Sequence, residues 1–222
     1  MSAARPLAID VSFDLICPWC FIGKRHLETA IAQLRSERPD AAVAVEWHSV
    51  PLIPDTPLQG IPYRQFYEAR LGGPDALAAR QAQVQAAARE AGLTLALQRI
   101  VTFPNTLLAH RLVRYARVQE GAQAASMLVD ALFARYFLQG ENIGDAQVLR
   151  AALADCGLPG PGGVDAPLSL ELDGLPSLAR PRHGAAGVPL FVFGNAIAVS
   201  GAVPPATLLR EMRRVLGEGV AA

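Results

Sequence analysis

Two cysteines, Cys17 and Cys20, are the residues of this sequence best suited to chemistry. A Cys-x-x-Cys pair can cycle between dithiol and disulfide, because on a helix the second thiol lies one turn from the first. The species that attacks a disulfide is a thiolate rather than a thiol. We therefore predict that Cys17 is the attacking thiolate and that Cys20 is the resolving thiol.

The residues around the pair predict a strand before it and a helix after it. The large apolar residues at 7, 9, 11 and 13 alternate with Ala8, Asp10 and Ser12, and apolar residues recur with helical spacing from 27 to 34. Cys17 would then stand where a helix begins, and the unpaired N–H groups and the dipole of the helix stabilise a negative charge there. Pro18 suits the first turn, where a missing N–H has no cost.

Two alternatives to redox chemistry stay open for the pair. The cysteines could be structural residues of a core, or they could be half of a zinc site, which needs four ligands. The remaining candidate ligands are Cys156 and four separated histidines, with no second Cys-x-x-Cys. We therefore favour redox chemistry and expect no metal. Cys156 falls on the apolar stripe of a predicted helix, so we expect an inert core thiol.

The elements that would position the pair lie at the two ends of the chain. The pattern predicts strand, helix and strand over 7–48, and then strands at 190–193 and 196–200 before a last helix. Gly194-Asn195 is a hairpin turn signal between these two strands. The middle of the chain contains helix-like runs and no convincing strand. These runs are 63–71, 75–91, 107–119, 122–138 and 145–156, with one more helix predicted at 169–179.

This order predicts one α/β layer, β-α-β and β-β-α, interrupted by a large all-helical insertion. We place a discontinuous domain at 1–55 and 165–222 and the insertion at 56–164. Acidic and basic residues balance at 20 each, so no net field points to nucleic acid or to a membrane surface. No apolar run has the length of a signal peptide or of a bilayer span, and we expect a cytoplasmic protein.

Four segments together resemble the DsbA-like thioredoxin family. They are similar above all to its FrnE-type oxidoreductases, which are grouped with 2-hydroxychromene-2-carboxylate isomerases and kappa-class glutathione transferases. The segments are residues 14–24, 103–106 with 109–111, 187–193 and 200–202. The resemblance implies a thioredoxin fold with an inserted helical domain, and a cis peptide bond before Pro189.

Residues near the pair are predicted to contact the substrate. Trp19 would form part of an apolar docking surface, and Val188 would offer its backbone for strand-like pairing with a bound peptide. Residues 103–106 precede a helix, where they either cap it or line the substrate cleft. The predicted substrate-binding residues are Pro18, Trp19, Phe103, Asn105, Val188 and Pro189.

The sequence thus predicts a thiol–disulfide oxidoreductase that acts on a protein or small molecule bearing a disulfide or dithiol. The alternative is a glutathione-dependent isomerase or transferase acting on a small aromatic or polyketide-like substrate. Those two branches carry serine where Cys17 stands, so the cysteine pair favours dithiol chemistry. We expect no tightly bound cofactor, glutathione as a candidate co-substrate, and neither nucleic acid nor membrane as a partner. A homodimer is compatible with the sequence.

Overall fold

A computed structural model describes residues 6–162, 168, 178 and 187–217. The chain divides into two compact units. Unit 1 comprises Met1–Val50 and Arg180–Ala222, and unit 2 comprises Pro51–Ala179. The domain boundaries predicted at 55/56 and 164/165 stay predictions. The helix predicted at 169–179 lies outside the described residues, except for residue 178.

The regular elements are numbered in chain order. They are β1 (Leu7–Phe13), α1 (Pro18–Glu37), β2 (Val43–Ser49), β3 (Ile61–Pro62), α2 (Tyr63–Leu71), α3 (Pro74–Glu90), β4 (Thr102–Phe103), α4 (Leu107–Gln119), α5 (Ala122–Ala134), α6 (Ala146–Asp155), β5 (Leu190–Phe193), β6 (Ile197–Ser200) and α7 (Pro205–Val215). A short 3-10 turn, Leu97–Arg99, precedes β4, and a π-helical turn, Arg135–Gln139, follows α5.

A four-stranded mixed sheet organises unit 1. The strand order is β2-β1-β5-β6. Strand β1 runs parallel to β2 and antiparallel to β5, and β6 is antiparallel to β5. The parallel pair needs a crossover, which α1 supplies, and the antiparallel pair β5 and β6 needs only a tight turn. The α/β layer built from both ends of the chain, as predicted, is the thioredoxin fold.

Alternation along the strands gives unit 1 its core. Ile9 and Val11 of β1 point to the same side as Phe191 and Phe193 of β5, and these side chains are almost fully buried. Helices α1 and α7 pack against each other and complete this core. They contribute Leu27, Ala30, Leu34, Leu208, Leu209 and Met212. The apolar face of the strands, which repeats every two residues, and the apolar faces of the helices, which repeat every 3.6 residues, therefore pack together in one apolar layer.

The turn between β5 and β6 has the predicted hairpin geometry. Gly194 and Asn195 both adopt left-handed φ angles, +57° and +59°, as a two-residue turn of the primed type requires. Glycine is also needed at the first position for space, since a Cβ on Gly194 would lie 2.5 Å from Cγ1 of Val215. The prediction of a hairpin at this position is confirmed.

Unit 2 contains five helices among its described residues, and a short ribbon of β3 and β4. The ribbon was not predicted, because two residues per strand leave no alternation to detect. Phe103 on β4 stacks on Phe66 of α2, with ring centroids 3.9 Å apart. The predicted helix 122–138 is α5 as far as Ala134 and then widens into the π-helical turn.

An ion pair on α1 makes the stability of unit 1 depend on pH. Lys24 is buried and bonds to Glu28, which also accepts a 2.8 Å hydrogen bond from Arg25. Burial alone would raise the pKa of Glu28, but the two cations lower it below its ordinary value of 4.5. A depressed carboxyl pKa stabilises the fold above the unfolded-state pKa, and this contribution disappears as pH falls through the folded-state pKa.

We expect Glu28→Gln to lower the free energy of unfolding at pH 7 by about 0.2–1 kcal/mol, the range measured for solvent-exposed ion pairs. The difference from wild type should shrink as the pH falls below 4.5. Urea titrations at pH 7, 5 and 3.5, followed by tryptophan fluorescence, measure it. A difference that stays constant over this range would contradict the assignment.

Candidate active site

Cys17 stands at the start of α1, as predicted. It is the N-cap residue, with an extended backbone (φ −89°, ψ 108°), and Pro18 is the first helical residue. The Cys17 N–H donates to the carbonyl of Asp14 over 3.1 Å, which turns the chain from β1 into the helix. The Cys17 carbonyl accepts the N–H of Cys20 at 3.0 Å. The sulfur therefore lies at the positive end of a 20-residue helix.

Cys20 lies deeper than Cys17 and is hydrogen-bonded to it. The two thiols are free, with 7% of Cys17 and 2% of Cys20 exposed. Burial raises the pKa of Cys20 well above its ordinary value, and the hydrogen bond to Cys17 and its charge raise it further. Cys20 is therefore a protonated thiol at neutral pH, suited to donate a hydrogen bond to a thiolate at Cys17.

The backbone before β5 forms the other side of the thiol site. The Cys17 thiol donates to the carbonyl oxygen of Val188 over 3.8 Å, joining segments 171 residues apart. The peptide bond between Val188 and Pro189 is cis. The carbonyl of Pro189 accepts the N–H of Gly201 at 2.8 Å, so the segment is tied to the residue after β6. Two predicted substrate-binding residues, Val188 and Pro189, therefore lie beside the cysteines.

The other predicted substrate-binding residues differ in exposure. Pro18 and Trp19 are partly exposed on the first turn of α1. Phe103 is buried in the aromatic cluster of unit 2. Asn105 is buried as well; its side-chain amide donates to the carbonyl of Thr56 at 2.5 Å, and its Oδ1 accepts the N–H of Leu107 at 3.0 Å. The substrate role of all four residues stays a prediction.

Asp14 is a site residue to which sequence reasoning assigned no role. Its side chain is fully buried, and Oδ1 accepts the N–H of Ile16 at 3.4 Å. A backbone hydrogen bond from Asp14 lowers the pKa of Cys20, whereas the Asp14 carboxylate raises it. The available signal was an acidic residue three positions before Cys17, separated from the cysteine only by the apolar residues Leu15 and Ile16.

We expect Asp14→Asn to lower the pKa of Cys20, because the substitution removes the carboxylate charge and keeps the side-chain acceptor. The measurement is the pH dependence of Cys20 alkylation in a Cys17→Ser/Cys156→Ser background, where Cys20 is the sole thiol. Glu28→Gln is the matched control, since Glu28 does not contribute to the pKa of Cys20. An unchanged or higher pKa in Asp14→Asn would contradict the contribution of Asp14.

Cys156 is not the core thiol that its helical stripe predicted. Helix α6 ends at Asp155, so Cys156 is the C-cap residue and is partly exposed. Burial of part of the side chain raises its pKa, and the carboxylates of Asp155 and Asp130 raise it further against the opposing charge of Arg135. A protonated thiol is a poor nucleophile. We therefore still expect low reactivity of Cys156, but because of its raised pKa and not because it is buried in a core.

Neither a metal centre nor a membrane span is found in the described part of the chain. No three histidine, cysteine, aspartate or glutamate side chains there converge on a point that could hold a metal ion. None of the described helices combines the length and the apolar character needed to cross a bilayer.

The fold and the thiol site define the class of protein. The buried dithiol lies at the start of the helix that follows β1, and Cys17 faces Val188. Val188 is followed by Pro189, which directly precedes β5, the strand next to β1. This arrangement is a thioredoxin-type thiol site. The family model for the DSBA-like thioredoxin domain matches residues 8–167. The chain belongs to this family.

Solved structures show the same fold. The probable DsbA oxidoreductase SCO1869 from Streptomyces coelicolor is 25% identical, with a TM-score of 0.80 over 97% of this chain and 92% of that one. A 2-hydroxychromene-2-carboxylate isomerase is 15% identical, with a TM-score of 0.57 over 94% and 96%. The cytosolic disulfide reductase DsbM from Pseudomonas aeruginosa, whose structure contains GSH, is 18% identical, with a TM-score of 0.51 over 95% and 96%.

Proposed function

We propose that the protein is a thiol–disulfide oxidoreductase that works through the Cys17–Cys20 pair. The observation that carries the proposal is the position of Cys17 at the start of α1, with Cys20 hydrogen-bonded to it and more deeply buried. In this arrangement the Cys17 sulfur makes the first attack on the substrate, and the Cys20 sulfur is close enough to attack the Cys17 sulfur afterwards. Membership of the DSBA-like family and the likeness to a probable DsbA oxidoreductase support it.

The reaction proceeds through two exchanges. The Cys17 thiolate attacks one sulfur of a substrate disulfide, a mixed disulfide forms, and the other substrate sulfur leaves as a thiolate that takes a proton from water. Cys20 then loses its proton and attacks the sulfur of Cys17, which releases the second substrate thiolate. The substrate is reduced by two electrons and the pair is oxidised to a disulfide. The same steps in reverse oxidise a substrate dithiol.

The direct test is turnover by the Cys17→Ser variant. We expect its reduction of insulin disulfides by dithiothreitol, and its oxidation of a dithiol peptide, to fall by at least about 10³-fold, because the thiolate is the nucleophile and loss of one member of a catalytic unit removes the function of the whole unit. Cys156→Ser serves as the matched control and should retain wild-type rates. Full activity in Cys17→Ser would remove the proposal.

Glutathione is the co-substrate that we propose for recycling the pair, with the cytoplasm as the location. The precedent is the cytosolic disulfide reductase DsbM from Pseudomonas aeruginosa, which has the same fold and whose structure contains GSH. Two glutathione thiols would reduce the Cys17–Cys20 disulfide and leave as glutathione disulfide. Equilibration of the pair in glutathione buffers gives its reduction potential, and a pair that fails to exchange with glutathione would exclude this recycling route.

The alternative function, a glutathione-dependent isomerase or transferase, shares the fold with the isomerase structure. It predicts that glutathione binds without reacting at the cysteines. Mass spectrometry after incubation with glutathione disulfide separates the two functions. A glutathionyl adduct on Cys17 in a Cys20→Ser protein supports the oxidoreductase, whereas binding of glutathione without an adduct supports the alternative.

A further inference from the structure

Gly23 of helix α1 faces the segment that lies beside Cys17, and the space beside it leaves little room for a side chain. It lies one turn beyond Cys20 and is buried. A Cβ at this position would be 3.1 Å from Cγ of Pro189 and 3.0 Å from Cζ of Phe191. Ordinary contacts between carbon atoms are about 3.5–4.0 Å. A side chain at position 23 would therefore crowd Pro189 and Phe191, and glycine leaves these two residues room to pack against the helix.

Glycine at this position needs an explanation, because it weakens the helix. In a helix interior glycine is about 1 kcal/mol less favourable than alanine. Gly23 is not among the glycines with a positive φ angle, so the backbone conformation does not require it. The remaining reason is space for the two side chains that it touches.

Neither neighbour can easily give way. Phe191 is fully buried in the core of unit 1, and in the sheet it is paired with Val11 and Val199. Pro189 is buried, its ring is fixed to the backbone, and its carbonyl is held by Gly201. A side chain at position 23 would therefore shift the backbone of α1 or the backbone around Pro189 by a few tenths of an ångström.

We propose that Gly23 is a positioning residue of the thiol site: its missing side chain lets the Pro189 ring pack on α1, which sets the 3.8 Å separation of the Cys17 sulfur and the Val188 carbonyl. The inference rests on the proposed function and adds Gly23 as a residue that acts on the thiol site through the packing of Pro189. A substrate whose backbone pairs with Val188 must meet the Cys17 sulfur at a defined distance, and Gly23 fixes that distance.

The test compares Gly23→Ala with Gly187→Ala. We expect Gly23→Ala to lower kcat/KM for reduction of a disulfide-containing peptide about five-fold, since misplacements of up to 1 Å can reduce rates by as much as about 100-fold. Gly187→Ala is the matched control, because Gly187 is next to Val188 and a Cβ there meets no atom within 4 Å. It should react at the wild-type rate.

A second measurement separates positioning from a general loss of structure. Iodoacetamide needs only the sulfur, whereas the peptide also needs the Val188 backbone, so Gly23→Ala should alkylate at Cys17 at the wild-type rate. Equal peptide kinetics in wild type and Gly23→Ala would overturn the inference while leaving the oxidoreductase intact. Parallel losses in both reactions, accompanied by a lower unfolding midpoint, would also overturn it. A wild-type protein without any disulfide reductase activity would instead remove the proposed function itself.

Discussion

Replacing Cys20 by serine is expected to halt the reaction at the mixed disulfide. Cys17 keeps its position at the start of α1 and can still attack a substrate, but no second thiol remains to displace it. Well-oriented intramolecular groups reach effective molarities of about 10⁵ M or more, whereas external thiols are present at millimolar concentrations. Steady-state turnover should therefore fall by at least about 100-fold.

The measurement is the detection of the mixed disulfide between Cys17 and the substrate. Mass spectrometry of Cys20→Ser after incubation with a peptide disulfide should show one peptide bound through Cys17, which dithiothreitol releases. Cys17→Ser is the control and should carry no adduct, because Cys20 is 2% exposed and its pKa is raised by burial. A Cys20→Ser protein that turns over at the wild-type rate, or that is labelled on Cys156, would refute the assigned roles.

The parts of this fold that the sequence predicts well depend on patterns several residues long. Strand β1 alternates over seven residues and was predicted with its observed bounds. The predicted helices 63–71 and 107–119 also agree with α2 and α4. The position of Cys17 followed from these patterns, since a strand before it and a helix after it leave it only the helix start.

The features that sequence reasoning missed depend on contacts that local patterns do not contain. Strands β3 and β4 have two residues each, and the π-helical turn after α5 keeps the composition of an ordinary helix. The positioning role that we propose for Gly23 depends on Pro189, which is far away in the sequence and lies next to Gly23 only in the folded chain. The influence of Asp14 on Cys20 likewise requires the turn that buries both residues.

Truncation of Phe193 is the stability change for which we expect the largest effect. Phe193 is fully buried in the core that also holds Leu27 of α1, the helix that carries both cysteines. Its neighbours in the sheet are Ile9 on β1 and Ile197 on β6. Phe193→Ala leaves a cavity beside α1, β1 and β6. Strand pairing and helix packing fix these elements, so they can move only a little to fill the cavity. We expect a loss of about 3–5 kcal/mol.

Tryptophan fluorescence is suited to this measurement, because both tryptophans, Trp19 and Trp47, belong to unit 1. Urea titrations should show a lower midpoint for Phe193→Ala with little change in slope. Phe193→Leu should lose less, because most of the cavity stays filled. Gln33→Ala, at an exposed position of α1, should stay within about 0.5 kcal/mol of wild type. Equal midpoints for Phe193→Ala and Gln33→Ala would mean that this core does not hold α1, and with it the thiol site, in place.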